Sequence, residues 1–213
     1  MASCIGRVFD TVLLARIMEV SVSEVDARIA RLVALALVEP VEETSRRFIF
    51  RHALIHEAAY QSQPRARRRK HHGRIADALA EDEGADPRKL AHHLTAAERL
   101  DEAVVQWREA GDRAGRRSAL GEAIGLYQQG LDLLARLPPG PETDRNRLAI
   151  LLALGPVLSA HDGYGAETVG ALYAEAARLA DEAGTPADRF AVRRGLWLYS
   201  QMSAQYTAAE IAA

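Results

Sequence analysis

Small residues recur at helical spacing on either side of a tyrosine in the middle of the chain. The residues that define this pattern are Trp107, Ala110, Gly111, Ala114, Ala123, Tyr127 and Gly130. The first four share one face of a predicted helix, and the last three share one face of the next. Small residues let two helices approach closely, and a ring fills the groove beside their crossing. The spacing therefore predicts two antiparallel helices that interlock.

The same pattern occurs again after a break at residues 138–141. Its residues are Leu151, Leu154, Gly155, Leu158, Val169, Tyr173 and Ala176. Consecutive helix pairs of this kind are typical of tetratricopeptide-like (TPR-like) arrays, which bind other proteins and carry out no chemistry themselves. We assign the following residues to packing within the repeats: Trp107, Gly111, Ala114, Ala123, Tyr127, Gly155 and Tyr173.

A third pair begins near the end of the chain. Helices are predicted near 87–98, 101–115, 119–137, 144–160, 165–183 and 187–203, with a last one from about residue 206. A repeat without its neighbour leaves an apolar face uncovered. We therefore expect an array that is truncated at its C-terminus, in a chain that is a fragment of a longer protein. A homo-oligomer, in which two copies of the chain cover this face for each other, is therefore an alternative.

The composition favours helices and argues against several classes of protein. Hydrophobic residues make up 48% of the 213 residues and aromatic ones 6%, which favours closely packed helices over a β-sandwich. Residues 1–80 carry 13 Lys and Arg against 9 Asp and Glu, whereas residues 81–213 carry 14 against 20. This change in the balance of charge near residue 80 suggests two modules. No apolar run reaches the ~18 residues of a membrane span and no secretion signal is present, so we expect a cytoplasmic protein without a membrane partner.

Residues 1–83 show a different order of elements. Two predicted helices precede a polar turn and a short strand at 46–50. The first spans 10–18 with Asp10 as its N-cap, and the second runs from a cap at Ser21 or Ser23 to about Val38. Helices resume at 52–61 and 64–81. Two helices, a turn and a strand in about 50 residues form the outline of a winged helix. The predicted fold is thus mainly α, with a small winged-helix domain at 1–83 followed by an α-α superhelical TPR-like array at 84–213.

Several segments carry a resemblance to a family. They are the opening CIGRVFD, then RFIFRHALIHEAAY, RRRKHHGRIADAL, LAHHLTAA and DEAVVQWREAGDRA. Together they resemble the C-terminal winged-helix and TPR-like region of bacterial STAND/AAA-type signalling ATPases, which include MalT-like regulators and multidomain adenylate or guanylate cyclases. The resemblance covers nearly the whole chain.

The resemblance implies a regulatory architecture. In such proteins an ATPase core precedes the winged helix and switches between ADP and ATP states, while the helical array senses an inducer or a partner. The histidine at the head of the winged-helix segment can touch the phosphate of bound ADP, and the matching residue is His52. His56 stands where relatives often have arginine. The resemblance thus implies an ATPase core in cis, and a protein partner or small inducer on the array.

The chain itself lacks the sequence signals of an enzyme. It contains no G-x-x-x-x-G-K-[ST] loop, so ATP or ADP is expected only with the missing ATPase core. It contains no G-x-S-x-G element and no dinucleotide-binding fingerprint. A capping role is the alternative for His52, because a histidine at a strand-to-helix junction is commonly structural. We expect no catalytic residue and no cofactor in this chain.

Histidines and cysteine are common metal ligands, and this chain has two histidine pairs and one cysteine. The spacing of these residues along the chain does not support a metal site. His71 and His72 are adjacent, as are His92 and His93, and adjacent helical residues point about 100° apart. No cysteine or carboxylate cluster completes a zinc shell. We therefore expect packing or surface histidines, no metal, and a buried Cys4.

A basic run at 65–74 suggests either a phosphate-binding patch or a solvated helix face. DNA binding through the winged helix is the alternative function. Its predicted recognition helix exposes Glu24, Asp26, Arg28 and Arg31, a poor set for phosphates and base edges. This composition argues against DNA as a partner.

A partner groove on the array is the remaining candidate site. Arg193, Arg194 and Tyr199 are charged or aromatic residues in a late predicted helix, and a solvated face or repeat core are the alternatives. The sequence thus predicts a non-catalytic regulatory and protein-interaction module of a larger STAND-type ATPase signalling protein, with a direct DNA-binding transcriptional regulator as the alternative.

Overall fold

Helices make up most of the chain. This computed structural model describes residues 1–42, 45–82 and 84–212, with side chains as far as residue 204. The strands in these residues are β1 (Val8–Asp10), β2 (Val38–Pro40) and β3 (Arg47–Phe50). The helices are α1 (Ala2–Ile5), α2 (Thr11–Met18), α3 (Val22–Ala34), α4 (Ala53–Gln61), α5 (Arg65–Ala80), α6 (Pro87–Ala96), α7 (Leu100–Arg116), α8 (Leu120–Leu134), α9 (Pro141–Asp162), α10 (Glu167–Ala183) and α11 (Pro186–Ala212).

The chain separates into two compact units. Unit 1 comprises residues 1–85 and 92–99, and unit 2 comprises residues 86–91 and 100–213. The division runs through α6, so the end of this helix belongs with the first unit although the sequence analysis assigned all of it to the second domain. The mainly helical fold that the composition predicts is confirmed.

The sheet of unit 1 is antiparallel, with β3 between β1 and β2. Phe9 of β1 pairs with Phe48, and Val38 of β2 pairs with Phe50. The rings of Phe9 and Phe50 lie 5.4 Å apart, a normal separation for a favourable aromatic pair. The buried residues of this core are Phe9, Leu14, Ala15, Val25, Ile29, Val38 and Phe50. The strand predicted at 46–50 is confirmed as β3.

Side chains fix the starts of α2 and α3. The Asp10 carboxylate accepts hydrogen bonds from the amides of Val12 (2.7 Å) and Leu13 (3.2 Å). The Ser21 hydroxyl accepts one from the amide of Glu24 at 3.2 Å. These bonds satisfy amide groups that have no partner within the first helical turn. Asp10 was predicted as a cap, and Ser21 rather than Ser23 caps α3.

The end predicted for α3, near Val38, is wrong. The helix ends at Ala34, because Ala36 adopts a left-handed conformation with φ of 54°. The amide of Leu37 donates to the carbonyl of Leu32 at 3.0 Å. This hydrogen bond belongs to a helix C-terminal motif whose left-handed position is usually occupied by glycine. An alanine at this position gives no sequence signal. The chain then turns into β2, a strand that the sequence analysis did not separate from the helix.

The two helices predicted at 187–203 and from about 206 are one continuous helix, α11. The intervening residues include no glycine or proline that would end a helix. The Ser203 hydroxyl donates to the carbonyl of Tyr199 at 2.8 Å within this helix, so this serine does not cap a new one. Two other elements, α1 and β1, were not predicted because four and three residues are too short to show a period.

The helices of unit 2 pack in the order of the chain. Each of α7 to α10 contacts the helix that follows it, and α9 also contacts α7 and α11. The break predicted at residues 138–141 separates α8 from α9, and Gly163 ends α9 with φ of 95°. The buried apolar residues of α7 to α10 include Ala103, Val104, Leu126, Leu134, Ile150, Val169, Leu179 and Ala180.

Candidate functional site

A tyrosine ring against a glycine joins α7 to α8. A Cβ atom placed on Gly111 would lie 2.6 Å from Cε1 of Tyr127, closer than side chains approach one another. Tyr127 is buried, and its hydroxyl donates to Oδ1 of Asp112 at 2.7 Å. Burial, and then the bond to Asp112, raise the pKa of Tyr127, so the hydroxyl stays a donor. With the ring in place, position 111 has room for glycine alone.

A second tyrosine repeats this contact between α9 and α10. A Cβ atom on Gly155 would lie 2.5 Å from the hydroxyl oxygen of Tyr173, and one on Gly195 of α11 would also collide with this ring. The Ser159 hydroxyl donates to the carbonyl of Gly155 at 2.8 Å. Burial raises the pKa of Tyr173. One ring therefore contacts glycines in the helices on either side of α10.

Tyr199, predicted as part of a partner groove, has a packing contact of its own. A Cβ atom on Gly170 of α10 would lie 2.5 Å from Cζ of Tyr199. The ring thus lies against a glycine, as the rings of Tyr127 and Tyr173 do. This placement separates Tyr199 from Arg193 and Arg194, which are exposed. The other residues assigned to packing, Trp107, Ala114 and Ala123, are all buried.

Four exposed residues share one face of α11. Phe190 and Trp197 are 70% and 60% exposed, and Arg193 and Arg194 lie between them. The spacing is i, i+3, i+4 and i+7, so the four side chains share one face of the helix. Neither arginine forms an ion pair within the side chains that the structure describes. We call these four residues the α11 surface, a cationic and aromatic patch that suits an acidic, partly apolar partner.

His52 lies at the N-terminus of α4 and is exposed. Its ring forms no capping bond, so the capping alternative has no support. His56, one turn later, is packed instead. Its Nε2–H donates to the carbonyl of Ser3 at 2.9 Å, and its ring lies 5.2 Å from that of Phe50. The two histidines therefore have separate roles, and only His52 faces outward.

Unit 1 also contains a buried histidine pair. Nδ1 of His72 lies 2.9 Å from Nδ1 of His93, and Nε2 of His72 lies 3.1 Å from the Tyr60 hydroxyl. Both histidines are buried. Burial, followed by the charges of His92, His71 and Arg68, lowers the pKa of His72 to about 4. The pair therefore carries no charge on His72 at neutral pH. Of the two alternatives predicted for these histidines, packing or surface, His72 and His93 are packed.

The basic run on α5 is partly engaged within unit 1. Arg65 and Arg69 both pair with Glu98, at 2.8 and 2.9 Å. Arg68 lies over the ring of Tyr60, 4.7 Å from its centroid. Exposed ion pairs of this kind contribute little to stability, but they lower the positive charge that a phosphate would meet.

The exposed face of α3, the predicted recognition helix, is nearly neutralised. Arg28 pairs with Glu24 at 2.6 Å, and Asp26 lies 3.9 Å from Arg46. A helix that reads DNA presents free cations and amides to phosphates and base edges. The ion pairs on α3 therefore leave few groups for that purpose.

Within the described side chains, no three His, Cys, Asp or Glu residues are grouped as metal ligands. None of the described helices combines the length and the apolar character that crossing a membrane demands.

Comparison with known proteins gives a relative but no family assignment. An uncharacterized protein of Rhizobium meliloti (strain 1021) is 31% identical over 158 residues, which is 71% of this chain. The chain spans about 15% of the length of that relative. No family model matches the chain, and no solved structure matches it.

Sequence reasoning missed the pairing of His72 with His93 and the role of Phe190. The two histidines lie in different helices, and nothing in their spacing shows that they meet. Phe190 lies four residues before Arg194 and seven before Trp197, and this helical spacing was the signal that could have added it to the groove.

Proposed function

We propose that this chain is a regulatory and protein-interaction module without catalytic machinery of its own. The observation that carries the proposal is the repeated tyrosine-on-glycine contact, which joins α7 to α8 and then α9 to α10. Helix pairs that repeat one packing contact and contact their neighbours in chain order are typical of TPR-like arrays, which present surfaces to other proteins.

Unit 1 supports the winged-helix part of the proposal through its order of elements. Two helices, α2 and α3, precede the pair of antiparallel strands β2 and β3, as in a winged helix. Together with the family resemblance, this arrangement favours a place beside an ATPase core in a STAND-type signalling protein. A region that matches 15% of a much longer relative suits one module of such a protein.

In that parent protein, His52 is proposed to sense the nucleotide. Its exposure at the start of α4 leaves the imidazole free to reach a phosphate on another domain. ATP or ADP would be bound by the core, and unit 1 would relay its state to the array. In the longer protein, His52→Gln should weaken the preference for ADP, whereas His56→Gln should reduce stability. An unchanged ADP affinity in a folded His52→Gln protein would contradict this role.

The α11 surface is the proposed docking site for a protein partner. Arginine and tryptophan contribute most often to binding energy at interfaces, and the cationic centre favours an acidic segment. A displayed peptide library tests this directly. The chain should enrich acidic peptides with apolar residues, and an Arg193→Glu, Arg194→Glu variant should lose them. Arg178→Glu, an exposed arginine on α10, is the matched control and should bind as the wild type does.

Two outcomes would contradict the docking proposal. One is that no acidic peptides are enriched. The other is that the double variant and the wild type bind them equally. A second copy of the chain is the other candidate occupant, and sedimentation velocity at rising concentration distinguishes it from a peptide ligand.

The alternative, direct DNA binding, is tested by titration with duplex DNA at two salt concentrations. Phosphate contacts release counterions, so a DNA-binding protein shows tight binding that falls steeply with salt. With Arg28 paired to Glu24 and two acidic residues on the same helix, the chain is expected to bind weakly. Tight, salt-sensitive binding would favour the alternative, and measurable ATP turnover by this chain would contradict the non-catalytic proposal.

A further inference from the structure

Unit 1 has a half-open cavity of about 360 Å³ among α1, α3, β2, β3, α4 and α5. Most of its wall is apolar and comes from Leu32, Leu37, Phe50, Ile55 and Ala59. Small-molecule sites in proteins are typically apolar cavities of roughly 300–1,000 Å³ with a few polar groups that orient the ligand. This cavity therefore has a suitable size and lining for an organic ligand.

Its polar side is formed by Gln63, Arg67 and His71. The Nδ1–H of His71 donates to Oε1 of Gln63 at 2.9 Å, and Nε2 of Gln63 donates to Ser3 Oγ at 3.0 Å. These bonds engage the Gln63 amide within the protein. Arg67 forms no ion pair within the described residues, so its guanidinium is available to a ligand.

The charge around this side of the cavity is positive. Burial first, and then the α-amino group of Met1 and the charges of Arg67, Arg74 and Lys70, lower the pKa of His71. The contribution of these cations, apart from that of burial, indicates a positive local potential, which favours anions. A carboxylate would complement this potential, and an amine would be repelled.

We propose that this cavity binds an organic carboxylate with an extended apolar body, whose carboxylate pairs with Arg67. The apolar wall accepts the body of the ligand, and a guanidinium binds a carboxylate through two parallel hydrogen bonds. The site lies wholly in unit 1 and does not depend on the partner surface proposed for α11.

Isothermal titration calorimetry of the whole chain with three probes of equal length tests the proposal. Decanoate should bind, whereas 1-decanol should bind about tenfold more weakly because it lacks the charge that Arg67 recognises. Decyltrimethylammonium should show no measurable binding. Equal affinity for decanoate and decanol, or no binding of decanoate, would overturn the proposal.

Variants of two residues locate the site. Arg67→Gln should weaken decanoate binding about tenfold and leave decanol binding unchanged. Lys70→Gln removes the same charge from an exposed position outside the cavity and should have little effect. Ala59→Leu should fill the cavity and abolish binding of both probes, whereas Ala58→Leu, which is exposed, should not.

Circular dichroism confirms that each variant is folded before binding is compared. If Arg67→Gln and Lys70→Gln reduce decanoate affinity equally, the charge acts only at long range and the assigned carboxylate contact is wrong. If a folded Ala59→Leu variant still binds decanoate, the ligand lies elsewhere and the cavity is not its site.

Discussion

Unit 1 and unit 2 are stabilised by contacts of different kinds. Unit 2 uses one contact repeatedly, a tyrosine ring against a helix glycine, at Gly111, Gly155 and Gly170. In unit 1 each main contact occurs once, as in the Phe9–Phe50 pair and the buried histidine pair. A repeated contact leaves a periodic trace in the sequence, whereas single contacts between distant residues leave none.

The two units can be followed separately in solution. Both tryptophans, Trp107 and Trp197, lie in unit 2, so tryptophan fluorescence reports on its unfolding. Amide hydrogen exchange in α3 and α5 reports on unit 1. Substitutions in one unit should therefore change its own readout and leave that of the other unit unchanged.

The largest effect is expected for Tyr127→Ala in unit 2. Removing a buried ring and its bond to Asp112 should lower the free energy of unfolding by about 4 kcal/mol. Urea titration followed by tryptophan fluorescence measures this change. Tyr164→Ala is the control, because Tyr164 is 45% exposed, and should cost much less. Equal losses would show that the ring contact is not what stabilises the unit.

Acid should weaken unit 1 through His72. Its pKa in the folded protein is about 4, below the ordinary value near 6.5, so the unfolded chain binds the proton first. Stability should be unchanged above pH 6.5 and fall between pH 6.5 and 4, by on the order of 2 kcal/mol. Hydrogen exchange in α5 across this range measures the loss.

His72→Phe should flatten this pH dependence, and His52→Gln, at an exposed position, should leave it intact. Tryptophan fluorescence should show no matching change in unit 2. A slope that persists in a folded His72→Phe protein would assign the acid sensitivity to other groups.

Gly111→Ala should cost about 2 kcal/mol, because a methyl group cannot share its space with the Tyr127 ring. Gly125→Ala is the matched control in α8, where nothing lies within 4 Å of the added methyl group. It should stabilise the helix by about 0.5–1 kcal/mol through helix propensity. Thermal unfolding of both variants measures these changes in stability. A Gly111→Ala variant as stable as the wild type would show that the Tyr127 ring does not lie against this glycine.

The smallest effect is expected at Thr11 in unit 1. Its side chain is fully buried, and its hydroxyl has no hydrogen-bond partner in the described structure. Thr11→Val keeps the shape and removes the unpaired group, so it should stabilise the protein by about 1 kcal/mol. Thr143→Val is the control, because the Thr143 hydroxyl donates to the carbonyl of Pro138, and should destabilise it slightly. Loss of stability in Thr11→Val would show that the hydroxyl has a partner.

Sequence reasoning reached the parts of the fold that depend on local or repeated signals. The caps at Asp10 and Ser21 are local, and the glycine in one helix with a tyrosine in the next occurs twice, as Gly111 with Tyr127 and as Gly155 with Tyr173. The end of α3 was predicted wrongly, because Ala36 adopts a left-handed conformation that is usually found at glycine. The histidine pair and the cavity were not predicted either. Both bring together residues from separate helices and strands, and the hydrophobic periodicity of each element does not show how these elements pack.

The ring of Tyr173 limits the order in which substitutions can accumulate. Because it fills the space beside both Gly155 and Gly195, neither glycine can gain a side chain until the ring has been replaced by something smaller. After that replacement, larger residues at either glycine would fill the vacated volume. We therefore expect homologous chains to vary at these three positions together, with ring and glycines retained or lost as a set.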